Sequence, residues 1–255
     1  MVRRVLRVAW CAWLTLPAGL GGQEVADPVL RGRVVVGDTA ATAGTVTLHH
    51  VTTELQGEVD SMRVGADGSF LFRLPTVPDP GRSEVYFASV RHQGILYFGK
   101  ALTLPIQLDT LYEIQAYDTL MTPADGLPVS VQARNIFLEP GDSDAWRVTD
   151  LFQLRNDEPR TLVAPEGGFV WGHPLPEGAT EVEVSQGDFG TGAAEIRDGR
   201  LVVTTPLPPG ERLFIVRYAV PSPFLTVPLA TPTDQLEIMI QEPAPAIEAP
   251  GLAMG

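Results

Sequence analysis

Asp67-Gly68 and Asp198-Gly199 each sit between two short runs in which apolar and polar residues alternate. A chain written this way is committed to extended segments. Alternation sends successive side chains to opposite faces of a strand, and Asp-Gly supplies the positive φ values that a tight type I′ turn needs. Beyond the N-terminal stretch, no run sustains the 3.6-residue period of an amphipathic helix. The chain has 25 glycines and 23 prolines, residues that make turns and interrupt helices. Hydrophobic residues make up 44% of its 255, enough to form cores and too many for wholesale disorder. The expectation is an all-β fold of two tandem antiparallel β-sandwich modules.

The N-terminus reads as an address. Arg3, Arg4 and Arg7 precede a short apolar run at residues 8–16, Pro17 breaks it, and residues 18–22 are mostly small. This is the layout of a secretory signal peptide over residues 1–22, with cleavage expected after Gly21 or Gly22. A spanning helix needs roughly 20 apolar residues, and this run is shorter. The single cysteine, Cys11, lies inside it. Trp10, a bulky residue, stands where lipid attachment to Cys11 would need a small one. A chain cut beyond Cys11 has no thiol, which removes disulfides, thiolate nucleophiles and cysteine-zinc sites. No later stretch is apolar enough to span a bilayer, so the expected location is extracytoplasmic, either periplasmic or secreted.

The formal net charge is −13. Nucleic-acid binding needs clustered Lys and Arg to neutralise phosphates, and no such cluster occurs. An anionic membrane surface would repel the chain for the same reason.

The first module is expected over residues 28–120. Strand-like runs fall at residues 30–36, 45–52, 59–64, 69–74, 84–91, 95–98 and 112–117, with hairpins at Asp67-Gly68 and at His92-Gln93-Gly94. About seven short strands at regular spacing argue for a sandwich. The order Gly32-Arg33-Val34, Gly44-Thr45-Val46-Thr47-Leu48, Ala66-Asp67-Gly68-Ser69-Phe70-Leu71-Phe72, a Pro-bearing loop, then Val85-Tyr86-Phe87 resembles the carboxypeptidase regulatory-like (transthyretin-like) domain family. A generic immunoglobulin-like sandwich shares much of this pattern. The resemblance implies a small antiparallel sandwich, without activity of its own, of the kind appended to secreted and surface proteins. It carries no functional residues over.

Asp125-Gly126 marks a turn at the junction, and the second module is expected over residues 126–242. Its strand-like runs are residues 129–138, 146–155, 169–171, 181–185, 195–197, 201–203, 212–220 and 236–240, with a hairpin at Asp198-Gly199. PLPEGA at 174–179 and LPPGERLFIVRY at 207–218 resemble segments of bacterial envelope proteins that follow a regulatory-like domain with a second β module. In those proteins a membrane anchor comes next. Here residues 243–255 form a Pro/Ala-rich tail.

Motifs for chemistry are sparse. His49 and His50 are adjacent in a strand and must point to opposite faces. His92 falls in a turn, and His173, before Pro174, has the option of pairing with a carboxylate. No H-E-x-x-H, G-x-S-x-G or P-loop occurs. The acidic loops at 141–144 and 156–158 lack calcium-loop spacing. Catalysis would require His173 to share a pocket with two carboxylates. Glu181 and Glu183 read as an ordinary solvent face. Candidate residues for a binding patch are the aromatics Tyr86, Phe87, Tyr97, Phe98, Trp146 and Trp171, with one member of each adjacent pair facing out. No cofactor or metal is expected. The reading is a non-catalytic interaction or scaffold protein of the cell envelope, whose partner is another envelope protein. The alternative is a carbohydrate-binding module, which would present coplanar exposed aromatics to a glycan.

Overall fold

The computed structural model describes residues 27–127, 129–141, 145–185, 192–244, 248 and 251. The signal-peptide expectation at 1–22, most of the 141–144 loop and most of the Pro/Ala-rich tail lie outside the described residues. The described chain is all-β, with 3-10 turns at Pro80–Arg82 and Pro105–Asp109. None of its helices is long and apolar enough to cross a membrane.

In chain order the first strands are β1 (Val29–Val36), β2 (Thr39–Ala40), β3 (Thr45–Val51), β4 (Gln56–Arg63), β5 (Ser69–Arg73), β6 (Val85–His92), β7 (Ile95–Phe98) and β8 (Tyr112–Ala116). One sheet centres on β1, flanked by β8 on one edge and by β5 and then β2 on the other. The second sheet runs β4-β3-β6-β7. Between them lies a core that includes Leu30, Val34, Leu48, Phe72, Tyr86 and Ile114. Alternation in β1, β3, β5 and β8 produces most of it. β5 has Phe70 and Phe72 buried while Ser69, Leu71 and Arg73 are exposed.

The His92-Gln93-Gly94 hairpin forms as expected, joining β6 to β7. The Asp67-Gly68 turn does not make the expected hairpin. β4 pairs with β3, and β5 pairs with β1, so this turn carries the chain from one sheet to the other. Gly68 has φ +78°, and a Cβ there would lie 2.6 Å from the Val34 carbonyl. The glycine therefore serves both the turn and a close approach to β1. Local turn chemistry was right, but long-range pairing decided the partners.

The later strands are β9 (Thr119–Met121), β10 (Ser130–Pro140), β11 (Trp146–Asn156), β12 (Thr161–Val163), β13 (Trp171–Pro174), β14 (Thr180–Ser185), β15 (Ala194–Arg197), β16 (Arg200–Val203), β17 (Gly210–Val220) and β18 (Thr233–Ile240). A five-stranded sheet runs β14-β17-β11-β10-β18, and it faces a three-stranded sheet, β13-β16-β15. Their shared core includes Val131, Phe152, Leu154, Trp171, Leu201 and Val216. Asp198-Gly199 forms the expected hairpin between β15 and β16, with φ of 51° and 70° at its two turn residues.

Three pairings are parallel, against the fully antiparallel expectation: β1 with β8, β10 with β18, and β9 with β12. In the first two, the opening long strand of a module lies beside its closing strand. Such strands are far apart in sequence, so no turn motif announces the pairing. β9 and β12 are three residues each, too short to show a period.

Candidate functional site

The six aromatic candidates separate by strand phase. Tyr86, Tyr97, Trp146 and Trp171 lie in the cores, between 0% and 7% exposed, and so do not line an open patch. Each occupies the inward phase of its strand. Tyr86 stacks on His50 at 4.2 Å, and its hydroxyl is 2.7 Å from Thr76 Oγ1. Phe87 and Phe98 hold the outward phase, Phe87 half-buried and Phe98 55% exposed. His49, also outward, stacks on Phe87 at 4.7 Å and 9°, and Phe98 meets Phe87 edge-on at 5.8 Å and 63°. His49 Nε2 is 2.8 Å from Ser89 Oγ. His49 and His50 thus face opposite ways, as expected for neighbours in a strand. The ring faces of His49 and Phe87 are turned on each other rather than laid side by side, so they do not form the flat platform that stacks on a sugar.

The densest ionisable cluster lies inside the second module. Along β11 the inward row is Trp146, Val148, Asp150, Phe152 and Leu154, which places a carboxylate among apolar side chains. In β10 a bulge between Val131 and Ala133 shifts the phase, so that Arg134, Ile136 and Leu138 point inward. Arg134 and Asp150 are 1% and 0% exposed. Their contact is bidentate: Arg134 Nε donates to Asp150 Oδ1 at 2.9 Å and Nη2 to Oδ2 at 2.6 Å. This planar fork is the strongest form of such a pair. The Tyr218 hydroxyl, from β17, donates to Asp150 Oδ2 at 3.1 Å. The Arg134 guanidinium also lies 4.6 Å above the Phe152 ring, a cation–π contact.

From the facing sheet comes His173, 1% exposed and stacked on Trp171. Its Nε2 lies 3.2 Å from Arg134 Nη1 and 3.1 Å from the Pro228 carbonyl. That carbonyl also accepts from Arg134 Nη1 at 2.5 Å. Burial, and then the Arg134 charge, push the His173 imidazole down to about 4, because an added proton would be both desolvated and repelled. Burial, and then the Asp150 charge, push the Tyr218 phenol up. His173 does not take a carboxylate partner: Arg134 stands between it and Asp150. A surface groove of about 390 Å3 lies instead on the first module, where Val59 and Asp60 of β4 and Arg73 of β5 line it.

A second polar cluster lies at the end of the first module and reaches β12. Gln93 at the β6–β7 tip accepts from the Thr119 amide at 2.8 Å and donates to Asp118 Oδ1 at 2.7 Å, and His92 Nε2 is 2.8 Å from the same oxygen. The Tyr97 hydroxyl donates to the Tyr117 carbonyl at 2.8 Å and meets Thr161 Oγ1 at 2.7 Å. Tyr97 belongs to the first core, while Thr161 opens β12. The Thr161→Val variant keeps the shape and removes the hydroxyl. It should cost about 1 kcal/mol, and a cycle with Tyr97→Phe should show coupling of at least about 0.5 kcal/mol. Strict additivity in thermal unfolding would mean that this contact carries no energy.

The acidic loop at 156–158 is engaged with its neighbours. The buried Asn156 amide donates to the carbonyls of Arg160 and Leu207, while Asp157 pairs with Arg155 and Glu158 with Arg160. Glu181 and Glu183 are exposed, as expected for a solvent face. Among the described residues, no group of three or more His, Cys, Asp and Glu side chains converges as a metal site.

Neither Arg134 nor Asp150 stands out by motif. Their signal is one of phase. A charged residue occupies an inward position in each strand, and in β10 the apolar positions switch from odd (Val129, Val131) to even (Ile136, Leu138), which marks the bulge. Compared with known protein families and with curated proteins, the chain matches none.

Proposed function

We propose that this chain is a non-catalytic interaction or scaffold protein that works outside the cytoplasm, with another envelope protein as its partner. The observation that carries this reading is the state of its ionisable groups. The buried cluster with catalytic residue types, Arg134, Asp150, His173 and Tyr218, is sealed in a core and engaged in internal bonds. A buried bidentate pair organises a fold; a reacting group must instead reach its substrate within hydrogen-bond distance. The Tyr97–Thr161 hydrogen bond supports the same reading, since it ties the first core to the start of β12. The likeness of the first module to regulatory-like domains, which are appended modules, agrees with it. The basic and apolar N-terminal residues support export.

Crosslinking followed by affinity purification from envelope fractions tests the proposal. The expected result is one stoichiometric protein partner. A protein that stays monodisperse and partnerless at native abundance overturns it. Retention on a glycan array would replace it with the carbohydrate-binding reading.

A further inference from the structure

The twelve residues 221–232 between β17 and β18 have no regular secondary structure, yet they close the side of the second module over its polar cluster. Three contacts hold them. Leu225 and Val227 pack on the core, Trp146 Nε1 donates to the Pro223 carbonyl at 3.4 Å, and the Pro228 carbonyl takes both Arg134 Nη1 and His173 Nε2. Those contacts fall on residues 223–228; at the end of the segment the Pro232 carbonyl accepts from the Val131 amide, a hinge-side tie, and β18 begins.

We propose that residues 221–232 form an acid-released strap, with His173 as the trigger and the Pro228 carbonyl as the latch. The geometry sets the conflict. The charged groups acting on His173 are Arg134 from β10 and Arg200 from β16, with Asp150 from β11 behind Arg134 and Tyr218 from β17 bonded to Asp150. The strap contributes no charge. Both Asp150 oxygens are already committed to Arg134, and one of them also to Tyr218. His173 Nδ1 is buried without a partner. Protonation would therefore leave two buried cations to one carboxylate, and a ring N–H with no acceptor. Swinging the strap out hydrates the ring and relieves both.

The direction with pH follows. Above about pH 6.5 the imidazole is neutral whether the strap is closed or open, and the latch has its full strength. As pH falls from 6.5 to about 4, the open form takes up a proton that the closed form refuses. The closed-to-open ratio then drops about tenfold per pH unit, roughly 300-fold in all. Below about 4 both forms are protonated and no more is lost.

The test is an NMR titration of the full chain from pH 7.5 to 4.5, following the His173 ring, the Trp146 indole N–H and the amides of residues 224–231. The expected result is a single titration step shared by all three, with solvent exchange of the Trp146 indole N–H, corrected for its intrinsic pH dependence, rising about 15-fold between pH 6.5 and 5. Signals of the first module should not follow this step. In His173→Gln, whose amide still reaches the Pro228 carbonyl but does not titrate, the strap step should vanish. Persistence of the step in that variant would assign it to carboxylates and overturn the proposal. If the variant fails to fold, the wild-type titration decides: a ring titrating near 6.5 with unmoved strap signals overturns it equally.

Discussion

Asp150→Ala should lower the stability of the second module by about 3–5 kcal/mol, the range for removing one partner of a buried ion pair. The loss comes less from the missing attraction than from what remains. Arg134, 1% exposed, would keep its charge with only the Pro228 carbonyl, the His173 ring and the Phe152 face around it. Tyr218 would lose its acceptor as well. The double variant Arg134→Met with Asp150→Leu should recover most of the loss, since apolar side chains of similar volume replace buried ion pairs at little or no cost. Equilibrium urea unfolding measures both. An Asp150→Ala loss below about 1 kcal/mol would mean that water reaches the pair, and the sealed-core argument would fail with it.

The second large effect belongs to the first module. Phe72→Ala should cost about 3–5 kcal/mol, as for other buried aromatics cut to alanine. Phe98→Ala should stay near 0.5 kcal/mol, the usual scale for an exposed position. Both are phenylalanines in strands of the same sandwich, but Phe72 is 1% exposed and Phe98 is 55%. The comparison isolates strand phase from residue type. Comparable losses in urea unfolding would show that Phe98 is packed against something in solution.

Phase is also what made the fold legible. Alternation located most of the strands of more than three residues, and it separated Phe98 from Tyr97 because neighbours must diverge. Asp198-Gly199 announced its hairpin because both flanking strands pair with each other and nothing else competes. Asp67-Gly68 carried the same local signal and failed, since β5 finds a better partner in β1 than in β4. Turn residues report the bend of the backbone; they do not report which sheet receives the next strand. The buried ion pair was missed for a related reason. Charged residues in a strand are ordinarily solvent-facing, and only the neighbours of Asp150, apolar at every second position, contradict that. In β10 the bulge hid the phase until its position was known. Trp146 and Trp171 are candidates for a binding patch by residue type, with core packing the alternative; each lies on the inward side of a strand, where burial of a large ring contributes most to stability.

The parallel pairing of β1 with β8, and of β10 with β18, has a mechanical consequence. When the first and last strands of a module run the same way, the chain enters at one pole and leaves at the other. A pull on the flanking segments would then draw the two strands past each other lengthwise, straining the five registered residue pairs between β1 and β8 together rather than one after another. Antiparallel end strands would peel open like a zip.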